Sequence, residues 1–438
     1  MREGGYDPSV SSFLRSMSCA LFVTSIVTCA PSTLLRAVEQ GRYDAVKVEL
    51  QTRSLSQGDL HDLARAIAEH ELHVAKAGDR LDRVSELAPC VRELDELFSI
   101  VMQTHDDAGA RAAMARVTAG TLMAADARAS PTDLNVHWRA VGVASLVGVE
   151  DGWQRREALL DPNVDVRKAA LWAAEQVHDA KDAPALVDVA RKDPEIFVRV
   201  QAVRTLERFP VLTDDVALAL RDESGDAKEP VRRQVAVLWA KAALRSADVR
   251  NFLYALIAGK MDLAALEGAL AVLRLSRVHE PHLVEISRAR VAQTLLHGTR
   301  FERLAILTSA PVETDPDFER ALLDLKDAQD AEVRVAALER MLYVPAQRAM
   351  AALALEAIAA QVENPFALRA TLALIQAKEE HAPAAFEKLA TAGHVQDKEA
   401  LARGGLALKS YERAALLLTD TSPSVRTRVA CLILRASE

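Results

Sequence analysis

An all-α chain built as a solenoid of two-helix units is the fold class the sequence predicts, and three observations predict it. The 438 residues include 79 alanines against only 17 glycines, and aromatic side chains make up 4% of the chain, which is the composition of helices throughout. From about residue 131 onward, one pattern of acidic turn, apolar-Arg pair and Ala/Val/Leu-rich helix returns roughly every 33 residues. Proline or aspartate punctuates the turns at the places where helices start. The chain carries 62 acidic and 54 basic residues for a net charge of -8. It therefore lacks the basic excess of a nonspecific nucleic-acid binder, and no nucleic-acid partner is expected.

Taken in order, residues 1–28 stand apart. No charge falls between Arg15 and Arg36, and the run Met17 to Thr28 (MSCALFVTSIVT) is apolar but short for a membrane span. A basic residue followed by such a run and a short cleavage region is the composition of a secretory signal. The sequence Ile26-Val27-Thr28-Cys29-Ala30-Pro31 resembles the lipobox of bacterial lipoproteins, which implies lipid attachment at Cys29 and a membrane anchor. A start at Met17 would lose Arg15 and weaken that signal, which leaves a cytosolic address as the alternative.

Residues 29–130 form the next expected unit, a helical cap outside the repeat register. STLLRAVEQGRYDAVKVEL reads as two short helices around Gly41, and 56–75 reads as a longer one opened by the capping-box-like pair Ser56 and Asp59. A third helix is expected over 79–102, kinked or split at Pro89. A solenoid buries its faces only against neighbouring units, so its terminal face needs such a cover.

Residues 131–438 are the expected solenoid of nine or ten units. Its marker arginines are Arg139, Arg167, Arg199, Arg232, Arg334, Arg369, Arg403 and Arg426, and the copies Leu266-Glu267 and Phe301-Glu302 fill the gaps without an arginine. An aspartate stands six residues before the arginine in six copies, at Asp133, Asp161, Asp193, Asp226, Asp397 and Asp420. Shorter amphipathic stretches at 183–191, 214–221 and 318–326 supply the first helix of a unit. Pro162, Pro194, Pro230, Pro365 and Pro423 fall at or near the start of the second, where the missing N–H is no loss. The units DPNVDVRKAA and DPEIFVRVQA resemble HEAT repeats of the short bacterial type. That resemblance implies an α-solenoid and is silent on function, because such repeats serve many tasks.

Chemistry is sparse. The arginines at a fixed turn position, each with an aspartate nearby, read as bridges between adjacent units. His70-Glu71-Leu72-His73 and His279-Glu280-Pro281-His282 have one residue too few for the i, i+4 zinc-helix spacing, so no metal is expected. Phosphate-cradling glycine motifs and a G-x-S-x-G elbow are absent from the sequence, and Gly404-Gly405 reads as a place of close helix packing. With Cys19 in the signal and Cys29 lipidated, Cys90 and Cys431 are expected as separate buried hydrophobes, with no disulfide framework. No cofactor and no small-molecule substrate are expected.

One constellation suggests binding. Counted from each marker arginine, positions +3, +4 and +7 read as core and +5, +6 and +9 as the inner face, which places Trp172, Arg204, Arg208, Lys241, Arg340 and Tyr343 on one basic, aromatic-anchored groove. The expected function is thus a non-catalytic, protein-binding scaffold on a lipid-anchored envelope protein, with a cytosolic scaffold or assembly factor as the alternative. The resemblance also leaves room for an enzyme, since short HEAT-like solenoids include bilin lyases and DNA glycosylases.

Overall fold

The computed structural model describes residues 33–50, 55–77, 90, 94–102, 106–120, 122, 129–221, 229–259, 262–311, 316–379, 382–392, 395–407 and 409–436. Residues 1–32 with Cys29, the stretch 79–89 around Pro89, and Asp226 lie outside the described residues. Among those described, every regular element is helical.

The N-terminal part holds α1 (Thr33–Glu39), α2 (Tyr43–Leu50), α3 (Gln57–Ala77), α4 (Asp95–Val101) and α5 (Asp107–Thr118). Gly41 separates α1 from α2 at φ +65°, a left-handed turn suited to glycine. The start of α3 is fixed as its sequence suggests. Ser56 Oγ accepts from the Asp59 N–H at 3.1 Å while the Asp59 carboxylate accepts from the Ser56 N–H at 3.0 Å, so two otherwise unpaired donors are satisfied reciprocally.

After α6 (Val136–Ala144) the chain runs through pairs: α7 (Gly152–Ala158) with α8 (Val164–Val177), α9 (Ala183–Lys192) with α10 (Ile196–Arg208), α11 (Asp214–Ala219) with α12 (Glu229–Ala242), and α13 (Ala247–Ala258) with α14 (Leu263–Arg274). They continue as α15 (Pro281–His297) with α16 (Arg300–Ser309), α17 (Pro316–Leu325) with α18 (Ala331–Met341), α19 (Arg348–Ala359) with α20 (Ala367–Gln376), α21 (Ala382–Ala392) with α22 (Val395–Ala407), and α23 (Tyr411–Leu417) with α24 (Pro423–Ala436). The second helices pack side by side in one row, α6 on α8, α8 on α10, α10 on α12 and on to α22 on α24, which makes the chain an all-α solenoid. The arginine-free copies at 266–267 and 301–302 lie on α14 and α16 and keep their places in that row.

Alanine explains the close spacing of the row. Ala170, Ala202, Ala236, Ala269, Ala337 and Ala370 are all fully buried between adjacent second helices, each taking little space and losing no rotamer freedom. Larger side chains fill the gaps where first helices cross. Trp239 is buried on α12, and its indole N–H donates to the Ala217 carbonyl of α11 at 2.9 Å. Arg155 on α7 is wholly buried, and its Nε donates to Asp182 at 2.9 Å and an Nη to the Leu146 carbonyl at 3.0 Å. No sequence repeat announces that ion pair.

The two ends of the chain meet. Helix α3 packs along α24, and α2 touches α23, while α5 packs on α6 at the other end of the row. The N-terminal helices thus lie against both the last unit and the first. Cys90 and Cys431 are disulfide-bonded, with Cα atoms 4.8 Å apart across 341 residues of sequence. This corrects the expectation of two separate buried thiols. Their distance in sequence argued against pairing, but the return of the N-terminal segment to the last helix brings them together.

Candidate functional site

The marker arginines make two kinds of bond, and the geometry explains why an aspartate precedes them by six residues. One guanidinium nitrogen donates back to the main-chain carbonyl of that sixth residue: Arg139 to Asp133 at 2.8 Å, Arg167 to Asp161 at 3.0 Å, Arg334 to Ala328 at 2.8 Å and Arg426 to Asp420 at 2.8 Å. Other guanidinium nitrogens reach forward to the aspartate of the next unit. Arg139 meets Asp161 at 3.1 Å, and Arg167 grips Asp193 through two bonds of 2.7 and 3.0 Å. The same aspartates brace their own turns, since Asp161, Asp193 and Asp420 accept the N–H groups of Asn163, Glu195 and Ser422 at 2.7, 2.9 and 2.8 Å. One carboxylate therefore serves a turn and a joint between units.

Arg369 and Arg403 depart from this scheme. Arg369 turns backward and pairs with Glu339 of α18 through two bonds of 2.7 Å, which hold its guanidinium above its ordinary pKa. Arg403 is an exposed mid-helix residue whose carboxylate partner is Glu399 of the same helix at 3.3 Å, because Asp397 lies inside the first turn of α22 and not in the preceding loop. Lys398 takes the forward bond at that unit, meeting Asp420 at 2.6 Å where both side chains are largely buried. The register read from Arg403 is therefore displaced by five residues.

The ladder continues across the meeting of the ends. Arg426 donates through Nε and Nη2 to Glu71 of α3 at 3.0 and 2.6 Å, with both side chains buried. The Tyr43 hydroxyl donates to the same carboxylate oxygen at 2.9 Å, and the Arg426 guanidinium lies 3.9 Å from the Tyr43 ring centre. Burial, with Glu71 beside it, pushes the Tyr43 phenol well above its usual range. Burial also lowers the neighbouring His70 below the ordinary histidine pKa, against the pull of Glu71. The His-Glu-x-His string noted for its spacing thus places its glutamate as the ladder's last acceptor.

The six groove candidates divide into two clusters. Trp172, Arg204, Arg208 and Lys241 lie on the consecutive helices α8, α10 and α12, whereas Arg340 lies on α18 and Tyr343 just beyond it. Several of their charges are already engaged. Arg208 pairs with Glu175 of α8, and Lys241 donates to the carbonyls of Glu207 and Phe209 at the end of α10, the latter at 3.1 Å. Arg340 donates to the Leu307 carbonyl of α16, and burial lowers its pKa. These cations satisfy carbonyls that the end of a helix leaves without partners. Trp172 is partly buried against the core, while Arg204 remains exposed.

A groove does exist, centred on α16. A cavity of about 680 Å³ on one side of that helix is lined by Leu263, Phe301 and Leu304 together with the carboxylates of Glu229, Asp262 and Glu332. A cavity of about 630 Å³ on the other side is lined by Tyr343, Leu368, Leu372, Glu339, Arg340 and Arg369. Both include Thr308 in their walls, so the helix forms a low floor between them. Phe301 is 69% exposed and Tyr343 41% exposed, two large aromatic faces presented to solvent along one row. Arg300 lies 5.6 Å from the Phe301 ring centre and pairs with Asp330 at 2.8 Å. The carboxyl of Asp330 is held below its ordinary pKa by the Val333 N–H and by Arg300.

Arg340 and Tyr343 thus fall within this groove and the other four candidates outside it. Phe301, Arg369 and Glu339 line these cavities and are not among the six candidates. The available signal was the copy at 301–302, which lacks the marker arginine. No group of three His, Cys, Asp or Glu side chains able to hold a metal ion occurs among the described residues. No described helix is long and apolar enough to cross a membrane.

No protein-family model matches the chain, and no curated protein matches it. Among solved structures it is similar at 14% identity to a crystal structure described only as an engineered protein, over 92% of this chain and 99% of that one, with a TM-score of 0.24.

Proposed function

We propose that the chain is a non-catalytic scaffold of the HEAT-repeat type that holds a segment of a partner protein in the groove over α16, and that a lipid on Cys29 ties it to the cell envelope. The observation that carries the binding role is the paired cavity around α16, with Phe301 and Tyr343 exposed on a row whose other charges are largely matched internally. Exposed aromatic anchors in concave surfaces are where partner side chains bury most area. The repeat type is supported by the D-P-x-x-x-V-R units and by the backward and forward bonds that Arg139 and Arg167 each make.

The Cys90–Cys431 bond supports an address outside the reducing cytosol, where disulfides persist. The apolar run ending at Cys29 supplies a route there. The test has two arms. Photo-crosslinkers placed at positions 301 and 343 in the native host are expected to capture the same protein, and Phe301→Asp with Tyr343→Asp to abolish that capture while Arg204→Glu leaves it unchanged. Capture that persists in the double variant refutes the groove. The mass of the mature N-terminus with membrane fractionation tests the anchor separately, since an intact Met1 in the soluble fraction refutes it.

A further inference from the structure

We infer that the seam where the chain ends meet contains a binding site for a single-chain fatty carboxylate. A cavity of about 370 Å³ opens there between α3 and the last two units, within the range of roughly 300–1,000 Å³ found for small-molecule sites. Its apolar wall is Leu60 from α3, Leu406 from α22, and Leu432 and Ile433 from α24. Among the described residues the charged side chains lining it are Arg403 and Lys409. Glu399 lies outside that lining and is shared by Arg403 at 3.3 Å and Arg428 at 3.8 Å. Tyr411 and Gln57, joined at 3.3 Å, complete the polar rim.

An apolar cleft with two cations and a phenol on its rim is complementary to a molecule with one anionic head and an aliphatic tail. The tail gains by leaving water along the leucines, and the head gains charge-assisted hydrogen bonds. A cationic or uncharged amphiphile forgoes the second gain. In an acidic chain of net charge -8, two cations side by side at one cavity run against the average. Arg403 belongs here: it makes no forward bond in the ladder, and that bond is made by Lys398. Lys409 follows the end of α22 at φ +56°, in a left-handed position that glycine usually holds. Replacing it with glycine removes the cation without strain.

The test is titration of the oxidised full chain with dodecanoate, dodecanol and dodecyltrimethylammonium, followed by calorimetry. Saturable binding of one dodecanoate per chain is expected, with the other two at least about tenfold weaker, equivalent to one charge-assisted contact. Lys409→Gly is expected to weaken dodecanoate by about tenfold while holding or raising the melting temperature, which separates head-group recognition from a purely structural role. Arg403→Glu with Lys409→Glu, both on exposed side chains, is expected to abolish binding, and Ala407→Trp, at an exposed lining position, to fill the cleft. Absence of saturable binding, equal affinity for dodecanol, or unchanged affinity in Lys409→Gly overturns the inference. Binding only to phosphatidylglycerol vesicles overturns it too, because that result belongs to a membrane surface and not to a single-chain site.

Discussion

Reduction of the Cys90–Cys431 bond removes a covalent link between α24 and the N-terminal segment, and the structure sets the scale of the effect. The bond closes a loop of 341 residues, and the chain-entropy relation for a loop of that length gives about 6 kcal/mol of destabilisation of the unfolded chain. The realised effect is smaller, since native disulfides typically contribute about 2–5 kcal/mol and an unfolded helical repeat chain keeps local structure. A solenoid transmits stability chiefly between neighbours, so the loss is expected to concentrate in α3, α23 and α24. Hydrogen exchange of oxidised and reduced protein checks this directly. Reduction leaves both sulfurs in place, whereas alanine substitution would add a cavity at two fully buried positions. Faster exchange in α3 and α24, with α10 to α14 unchanged, is the expected pattern. Two titratable thiols together with unaltered protection in α3 would refute the reasoning, since the seam would then be held without the bond.

Other outcomes follow from the ladder and the seam. Glu71→Gln leaves Arg426 buried against a neutral partner and is expected to lower stability by about 3–5 kcal/mol, read as a shift in denaturant midpoint. Arg167→Ala removes a largely buried two-bond joint and is expected to lower stability by about 2–3 kcal/mol, whereas Arg403→Ala stays within about 0.5 kcal/mol; comparable losses would return Arg403 to the ladder. His279 is buried and its pKa lies below the ordinary histidine value because burial disfavours its charged form. Its contribution is therefore fully present above about pH 6.5 and is lost as pH falls through its lowered folded value, because the unfolded chain takes up the proton first. A His279→Gln variant is expected to flatten that part of the stability-versus-pH curve, and an unchanged slope below pH 6.5 would refute the assignment.

Local chemistry made the repeats readable. A proline or aspartate at a turn, a six-residue offset to arginine and a 3.6-residue apolar period are all short-range features, and the structure places α8, α10, α18 and α24 where they predict helices. The long-range features were not readable. Cys90 and Cys431 pair only because α3 returns to α24, and Glu71 accepts from Arg426 for the same reason, with more than three hundred residues between the partners. At Arg403 a local coincidence misled, because Asp397 six residues earlier lies in a helix and not in a turn. The charges of the expected basic groove were legible only in part. Sequence places Lys241 and Arg340 on a helix surface but does not reveal that each reaches the carbonyls ending the helix before it.

That internal matching bears on where a partner binds. A charge already held by a carboxylate or by carbonyl dipoles must give up that bond before it meets a ligand, so the net gain is small. Along α8, α10 and α12 the cross-helix pairs Glu175 with Gln201, Glu207 with Gln234 and Glu267 with Arg233 leave few polar groups to offer. Around α16 the marker arginine is missing, and Arg300 makes the forward bond in its place, to Asp330 at 2.8 Å. Phe301 and Glu302 stand where an apolar residue and arginine recur elsewhere, Glu302 folds back to cap its own helix at Thr299, and Phe301 is left to solvent. That departure from the marker pattern coincides with the two cavities. Placing arginine at the marker position with Glu302→Arg would break the Thr299 cap and set a cation in the cavity, and is expected to weaken partner capture at positions 301 and 343. Undiminished capture in a folded Glu302→Arg protein would mean that the missing marker arginine is drift and that binding lies elsewhere on the row.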